Sequence, residues 1–365
     1  SVVGDAIGQS QLSTKVEGFE ASKIDVSSDA GIQGLAQLGN SAAATTTNGA
    51  STATADVKDL QGAELSGLEV GGVASVTGQA SLTNAASSSN VEGGTSTATA
   101  DIAKSGTGGT GIQGLTADAT RFAASTDSGV YSTAGVDVSS DGTLTGLASI
   151  SNSASAESTA SSADAVATAS TVDGAQLNTV EIGGVGSIIG QTTFAGSADA
   201  TNVGVAGETS DGLATLVDAD GLEATSAIGI KSDGDLTGLN TVDLASSAAS
   251  TSGDKATATS AATTLQGAEL GNATTIGGVG TIGGQVDFGG SAAATNVSGD
   301  AQATGELSSV AQGLSTTSAT SGTFGTDVSS DATVQGFANL NTSADASTTA
   351  GKADAAAKGN HIAGA

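Results

Sequence analysis

The fold class this sequence predicts is an all-β, repetitive and elongated β-solenoid, a stack of β-coils with Gly, Asp and Asn at the corners. Three observations predict it: a segment that recurs along the whole chain, the absence of proline from 365 residues, and long runs in which small residues alternate with period two. Each bears on the backbone. Proline has no N–H to give a ladder and is excluded from central strands. Runs such as STATADV, SASAEST, ATATSAA and SADASTT place Ala on one face of an extended chain, and no 3.6-residue apolar stripe competes with them.

The recurring segment comes in two forms. One reads VSSDAGIQGL from Val26, VSSDGTLTGL from Val138, IKSDGDLTGL from Ile230 and VSSDATVQGF from Val328. The other reads VGGVASVTGQ ending at Gln79, IGGVGSIIGQ ending at Gln191 and IGGVGTIGGQ ending at Gln285, with a degenerate copy, VVGDAIGQ, ending at Gln9. Both run into a Gly, a large apolar residue four positions on, and then a Ser/Ala alternation. The apolar column is Leu38, Ile150, Val242 and Leu340 in the first form, and Leu12, Leu82, Phe194 and Phe288 in the second. The glycines fall at 8, 34, 78, 146, 190, 238, 284 and 336. This spacing is read as two coils of about 22–25 residues per unit, within the range of solenoid repeats. The chain is then one repetitive domain, 1–365. It comprises a partial repeat over 1–25, full repeats over 26–137, 138–229 and 230–327, and a partial repeat over 328–365.

Composition narrows the function. Aromatic residues are 2% of the chain and Gly numbers 55, so cohesion must come from backbone ladders and close approach of small side chains, which predicts a thin, flat interior. A net charge of −28 disfavours nucleic acid and anionic membranes as partners. Every apolar run is far shorter than a membrane-spanning helix requires, so membrane insertion is not expected. Cysteine is absent, which removes disulfides and thiolate metal sites. A chain that opens on Ser1 and contains no Met reads as a processed product, its signal peptide or propeptide removed, and hence as extracellular or cell-surface.

Chemistry-bearing motifs are few, and no catalytic residue is expected. His361 is the sole histidine and lies near the end, where a structural role is expected. Gly278, Gly280 and Gly283 match G-x-G-x-x-G, but corner glycines explain them without a nucleotide. Asp-Gly corners at Asp141, Asp211, Asp220 and Asp233 are the candidates for calcium, the one cofactor the composition admits; solvated turn acids are preferred, because neither the nonapeptide calcium repeat nor an EF-hand loop occurs. The recurring Asp29, Asp141, Asp233 and Asp331 are expected to bond their own turns. The columns Gln9, Gln79, Gln191, Gln285 and Asn90, Asn202, Asn296 are read as corners rather than amide ladders, since ladders need adjacent rungs. Threonine runs such as Thr45 to Thr47 are ordinary strand formers rather than an ice-binding face.

The interleaved Gly-rich repeats, the acidic balance and the lack of Cys and Pro resemble bacterial extracellular β-solenoid repeat proteins of the surface or filament type. What the resemblance implies is an extracellular location and either self-assembly or adhesion. KGNHIAGA from Lys358 is similar to QGAEL at Gln61, so Ala365 followed by Ser1 of another copy would nearly continue the pattern. A head-to-tail homopolymer is expected on that basis, with Ser1, Val2, Val3, Ile7, His361, Ile362 and Ala365 at the subunit interface. The alternative is an adhesin that binds carbohydrate or another surface, with divalent cations as further partners, through loops near 84–94 and 103–111.

Overall fold

The computed structural model describes the whole chain except residues 1–3, 23–24, 27, 67–68, 103–110, 119, 123–140, 205–206, 226, 272, 317–325 and 365. Every regular element among the described residues is a β-strand, and every pairing is parallel. The strands form three sheets that wrap one interior, which is the β-solenoid that the repeats predict.

The first sheet holds seven long strands, Ala30–Asn48, Ala74–Glu92, Gly142–Ser158, Gly186–Asn202, Gly234–Ser250, Gly280–Asn296 and Ala332–Thr348. The second holds the returning strands, with Ala163–Leu177, Thr209–Ala224, Lys255–Leu270 and Asp300–Thr316 continuous. Its earlier turns are split into pairs such as Ser51–Val57 with Asp59–Ser66 and Ser96–Ile102 with Gly111–Asp118. Seven strands of two to four residues, among them Val180–Ile182 and Ala273–Ile276, close the third side.

Register corrects the coil length. Ala30 pairs with Ala74, Ala74 with Gly142, Gly142 with Gly186, Gly186 with Gly234, Gly234 with Gly280 and Gly280 with Ala332. Each step between partners is one full turn, so a turn takes about twice the length expected of a single coil, and the turn from Ala74 to Gly142 takes more. A 17-residue strand spans about 56 Å, so the repeating unit is one wide, flattened coil and not two small ones. The two sequence forms are therefore adjacent rungs. Leu38, Leu82, Ile150, Phe194, Val242, Phe288 and Leu340 make one unbroken column.

The recurrent glycines sit in mid-strand, where the first two sheets pinch together, and not at corners. A Cβ on Gly190 would lie 2.0 Å from the carbonyl oxygen of Gly221, and one on Gly238 1.9 Å from that of Gly267. Backbone meets backbone along the whole axis, so only glycine fits. Positive φ occurs elsewhere, at corners such as Gly49, Gly93 and Gly94.

The pinch divides the interior. On one side Leu65, Leu115, Leu177, Leu222 and Leu270 pack on Ile182, Ile230 and Ile276 of the short sheet. On the other lie the Leu/Ile/Phe column with Leu60, Ile112 and Val172, and then a zone of almost pure alanine. There Ala154, Ala156, Ala198 and Ala200 face Ala98, Ala100, Ala165 and Ala167, which makes that part of the interior as thin as the composition predicts.

Candidate functional site: open edges, corner columns and an acidic seam

The chain's beginning and end fall in places that the repeat alignment misassigns. Gln9 and Leu12 lie in the second sheet, paired with Thr54 and Val57, and do not belong to the long-strand columns of Gln79 and Leu82. Gly359 pairs with Leu307, while Gly364 packs on Gly313 as the true counterpart of Gly62. Between Gly62 and the next returning strand, which starts at Ser96, the coil runs the whole long strand Ala74–Glu92. The expected likeness of KGNHIAGA to QGAEL thus joins a Gly of one register to a Gly of another, because short Gly-Ala segments look alike along the second sheet.

Of the expected interface residues, Ser1, Val2, Val3 and Ala365 lie outside the described residues. Ile7 is 71% exposed on Ala6–Leu12, the outermost strand of the second sheet. His361 and Ile362 lie on Ala353–Ala363 at the opposite edge, in register with Val310 and Ala311. Ala30–Asn48 and Ala332–Thr348 are the outermost long strands. Val334 occupies the column of Ile188, Leu236 and Ile282, each buried, yet is 55% exposed because no rung covers it. An unpaired edge combined with open apolar core is a template for another strand.

Corner aspartates tie coils together. Asp29 Oδ1 accepts the amide N–H of Val73, Asp141 that of Val185 and Asp233 that of Val279, each at 2.8 Å and each one rung away. The expectation that they bond their own turns is thus corrected. The Gly-Gly of the alternate form is needed because the carboxylate folds under it: a Cβ on Gly72 would lie 2.3 Å from Asp29 Oδ1, and one on Gly278 2.2 Å from Asp233 Oδ1. Gly278 is thus a corner, as expected, while Gly280 and Gly283 lie in the strand that follows, and no helix opens there.

The amide columns divide. Asn90 donates to the carbonyls of Gly49, Gly93 and Gly94, and Asn296 to those of Gly253 and Asp300, which are the corner roles expected. Gln79, Gln191 and Gln285 instead lie mid-strand, alternating with Leu35, Leu147, Leu239 and Phe337. A true ladder exists where none is expected: Asn40 Nδ2 donates to Asn84 Oδ1 at 2.8 Å, and Asn84 Nδ2 to Asn152 Oδ1 at 3.0 Å. Their recurrence was hidden in the sequence by unequal coil lengths, the second step being much longer than the first.

The calcium candidates do not converge. Asp141 and Asp233 serve separate corners, Asp211 lies in the second sheet beside Asp164, and Asp220 is buried at mid-strand. Among the described residues no three His, Cys, Asp or Glu side chains gather in a way that could hold a metal.

Asp220 belongs instead to a polar seam on the outer side of the pinch. The returning strand bends at Gly174 and Gly221, and the column Gln61, Gln113, Asp173, Asp220, Gln266, Gln312 lines the fold of that bend. Side chains three residues on close over it. Gln113 Nε2 donates to Gln176 Oε1 at 2.8 Å, and Gln176 Nε2 to Glu223 Oε2 at 2.7 Å. Asp173 is 1% exposed and Asp220 5%, and Oδ1 of each has no hydrogen-bond partner. Burial, then Glu223 and Asp218, push the Asp173 carboxyl well above the carboxylate range. Burial, then Asp173 and other acids, do the same to Asp220. Asp218 is pushed up to about 6 by burial and by Glu223 and Glu269, and Glu269 is raised by burial and Glu223.

The loop-borne alternative loses part of its basis. Residues 84–92 lie within the strand Ala74–Glu92 and not in a projecting loop, and 103–110 lie outside the described residues. Among the described residues the outer face of the long sheet carries an open basin, floored by Gly and Ala beside Ser151, Asp243 and Asn341. No family model matches this chain, and no curated protein or solved structure matches it either.

Proposed function

We propose that this chain is a non-enzymatic structural protein of an extracellular filament, pilus-like fibre or surface layer, and that it assembles with itself end to end. The observation that carries the reading is the uncovered end rung. Each inner coil satisfies its main-chain polar groups through the coils on either side, whereas Ala332–Thr348 offers a full strand edge over an open apolar column that includes Val334. Burying such an edge against a second copy repeats a contact that the molecule already makes between every pair of rungs. The fourth corner acid, Asp331, stands in the column of Asp233 and is placed to accept an amide of that copy. The high negative charge keeps the sides of such a fibre apart and leaves the ends as the place of contact.

The test is made on the edge. The N–H of Gly280 points to Asp331, so residues of the same parity on the last long strand, Ala338 among them, aim their N–H groups away from the molecule. Wild-type protein imaged by electron microscopy over rising concentration is expected to give rods far longer than one chain. Ala338→Pro, which removes an edge donor without breaking an internal bond, is expected to give single particles with unchanged β-sheet circular dichroism. Wild-type protein that stays monomeric at millimolar concentration overturns the proposal.

A further inference from the structure

The acidic seam buries two facing carboxyl groups side by side. Asp173 and Asp220 are register partners on adjacent rungs, both buried, each with a carboxyl oxygen that has no donor. Parallel neighbours sit about 4.8 Å apart, so two ionised carboxylates there would face each other with water excluded. Among the described residues the groups set around them are neutral or acidic. Gln113 and Thr116 come from one neighbouring rung, Gln176 shares the strand of Asp173, and Asp218 and Glu223 share the strand of Asp220. Gln266 and Glu269 come from the next rung. The long sheet, packed against the bend, contributes the backbone of Gln191 and Leu239 and the Thr192 hydroxyl, which donates to the Asp220 carbonyl at 2.6 Å. Where the column that covers the seam begins, at Glu64, Lys15 is held by Glu17 and Glu64.

We propose that Asp173 and Asp220 form a proton-operated latch across the middle coils, closed when a proton is held between the two carboxyls and forced open when both ionise. In the closed state the protonated Oδ of one acid donates to the ionised Oδ of the other, which supplies the donor that both buried oxygens lack. Loss of that proton to solvent leaves two like charges on neighbouring rungs, beside Asp218, Glu223 and Glu269, and drives the strands Ala163–Leu177 and Thr209–Ala224 apart. A proton fits better than a metal, because calcium takes six to eight oxygen ligands, whereas the unpartnered oxygens here number three: Asp173 Oδ1, Asp220 Oδ1 and Gln266 Oε1.

The sign is the reverse of ordinary acid denaturation. These carboxyls are harder to ionise in the folded chain than in the unfolded one, so the folded state binds more protons. Their contribution is complete below the unfolded carboxyl range, near pH 4, and is lost as pH rises through the folded values, about 6 for Asp218 and well above the ordinary carboxylate range for the buried pair. The latch therefore tightens on acidification.

Hydrogen exchange of the full-length protein, corrected for intrinsic rates, tests this directly. Amides of 163–177 and 209–224 are expected to exchange at least about tenfold more slowly at pH 5 than at pH 8, corresponding to about 1.4 kcal/mol or more. Amides of the alanine zone, around 96–102, are expected to change little. In Asp173→Asn/Asp220→Asn, where a neutral amide replaces each acid, the difference between pH 5 and pH 8 is expected to shrink to the share that Asp218 and Glu269 retain, with protection at pH 8 raised. An unchanged pH dependence in that variant overturns the latch. So does closure of the wild-type seam at pH 8 by millimolar calcium alone, which would make it a cation site. Should the variant fail to fold, carbon-13 titration of the wild-type Asp carboxyls decides: Asp173 and Asp220 both titrating within the ordinary carboxylate range rules the latch out.

Discussion

The first three long strands and the next three solve the same packing problem in different ways. In Ala30–Asn48, Ala74–Glu92 and Gly142–Ser158, the inward position two residues after the large apolar residue is Asn40, Asn84 and Asn152, and the position two residues before it is Ala36, Ala80 and Ala148. In Gly186–Asn202, Gly234–Ser250 and Gly280–Asn296 the later position is Gly196, Leu244 and Gly290, and in the first two of these polarity has moved to the earlier one as Thr192 and Asn240, the third having Val286 there. The amides of the first half reach the carbonyls of Ala55, Ala100 and Thr168 in the returning strands. Asn240 reaches those of Ala219 and Gln266. A flattened coil can thus place its polar contact at either of two inward positions, and neighbouring rungs must agree on which. Agreement between rungs is what turns single hydrogen bonds into a ladder.

Exchanging the two solutions should be costly in proportion to how alone the new residue is. Leu244 fills the space left by two glycines; a Cβ on Gly196 would lie 2.8 Å from its Cδ2. Leu244→Asn opens a cavity there and buries an amide with no amide above or below it. A loss of about 4 kcal/mol is expected in urea unfolding, the sum of a core truncation and an unsatisfied polar group. The sharper form is Gly196→Asn/Leu244→Asn/Gly290→Asn, which supplies the missing rungs. Less destabilisation in the triple variant than in the single one would show that the ladder, rather than the local cavity, controls the choice.

The reverse exchange should cost somewhat less. Asn84→Leu leaves the Asn152 carbonyl oxygen and one Asn40 donor without their ladder partner, although Asn40 keeps the carbonyls of Ser10 and Asp56. About 3 kcal/mol is expected from the same measurement. A near-neutral result would mean that the amides are tolerated passengers rather than the bond that holds the first half in register.

How far this was readable beforehand differs from feature to feature, for physical reasons. All-β stacking was legible because it leaves a local mark: period-two alanine, glycine at fixed offsets and the absence of proline. Coil length was not, because a glycine at a mid-strand pinch and a glycine at a corner look the same in sequence, and only pairing tells Gly190 from Gly94. The Asn ladder was hidden by insertions that make the coil between Asn84 and Asn152 longer than the one before it. The acidic seam carried no motif at all. Asp173 stands in VDGAQL and Asp220 in VDADGLEA, where Asp-Gly reads as an exposed turn, and only the bend at Gly174 and Gly221 buries them. The corner acids lay in between: their recurrence was plain, but that each one serves the following rung could be seen only once the two repeat forms were known to alternate.

That alternation supplies the smallest effect and the finest test of the comparison between halves. Asp141 lies on the third long rung and Asp233 on the fifth, so one corner bond belongs to each packing solution, and both meet the same exposed Val-Gly corner at 2.8 Å. Asp141→Ala and Asp233→Ala each remove a charge-assisted bond at a solvent-exposed corner, where water replaces the lost acceptor. About 1 kcal/mol is expected for each, with the double variant additive because the corners are two rungs apart. Equal losses would mean that corners act independently of what fills the interior. A larger loss at Asp233, where no Asn ladder spans the rungs, would mean that the corner acids carry register in the half that lacks amides.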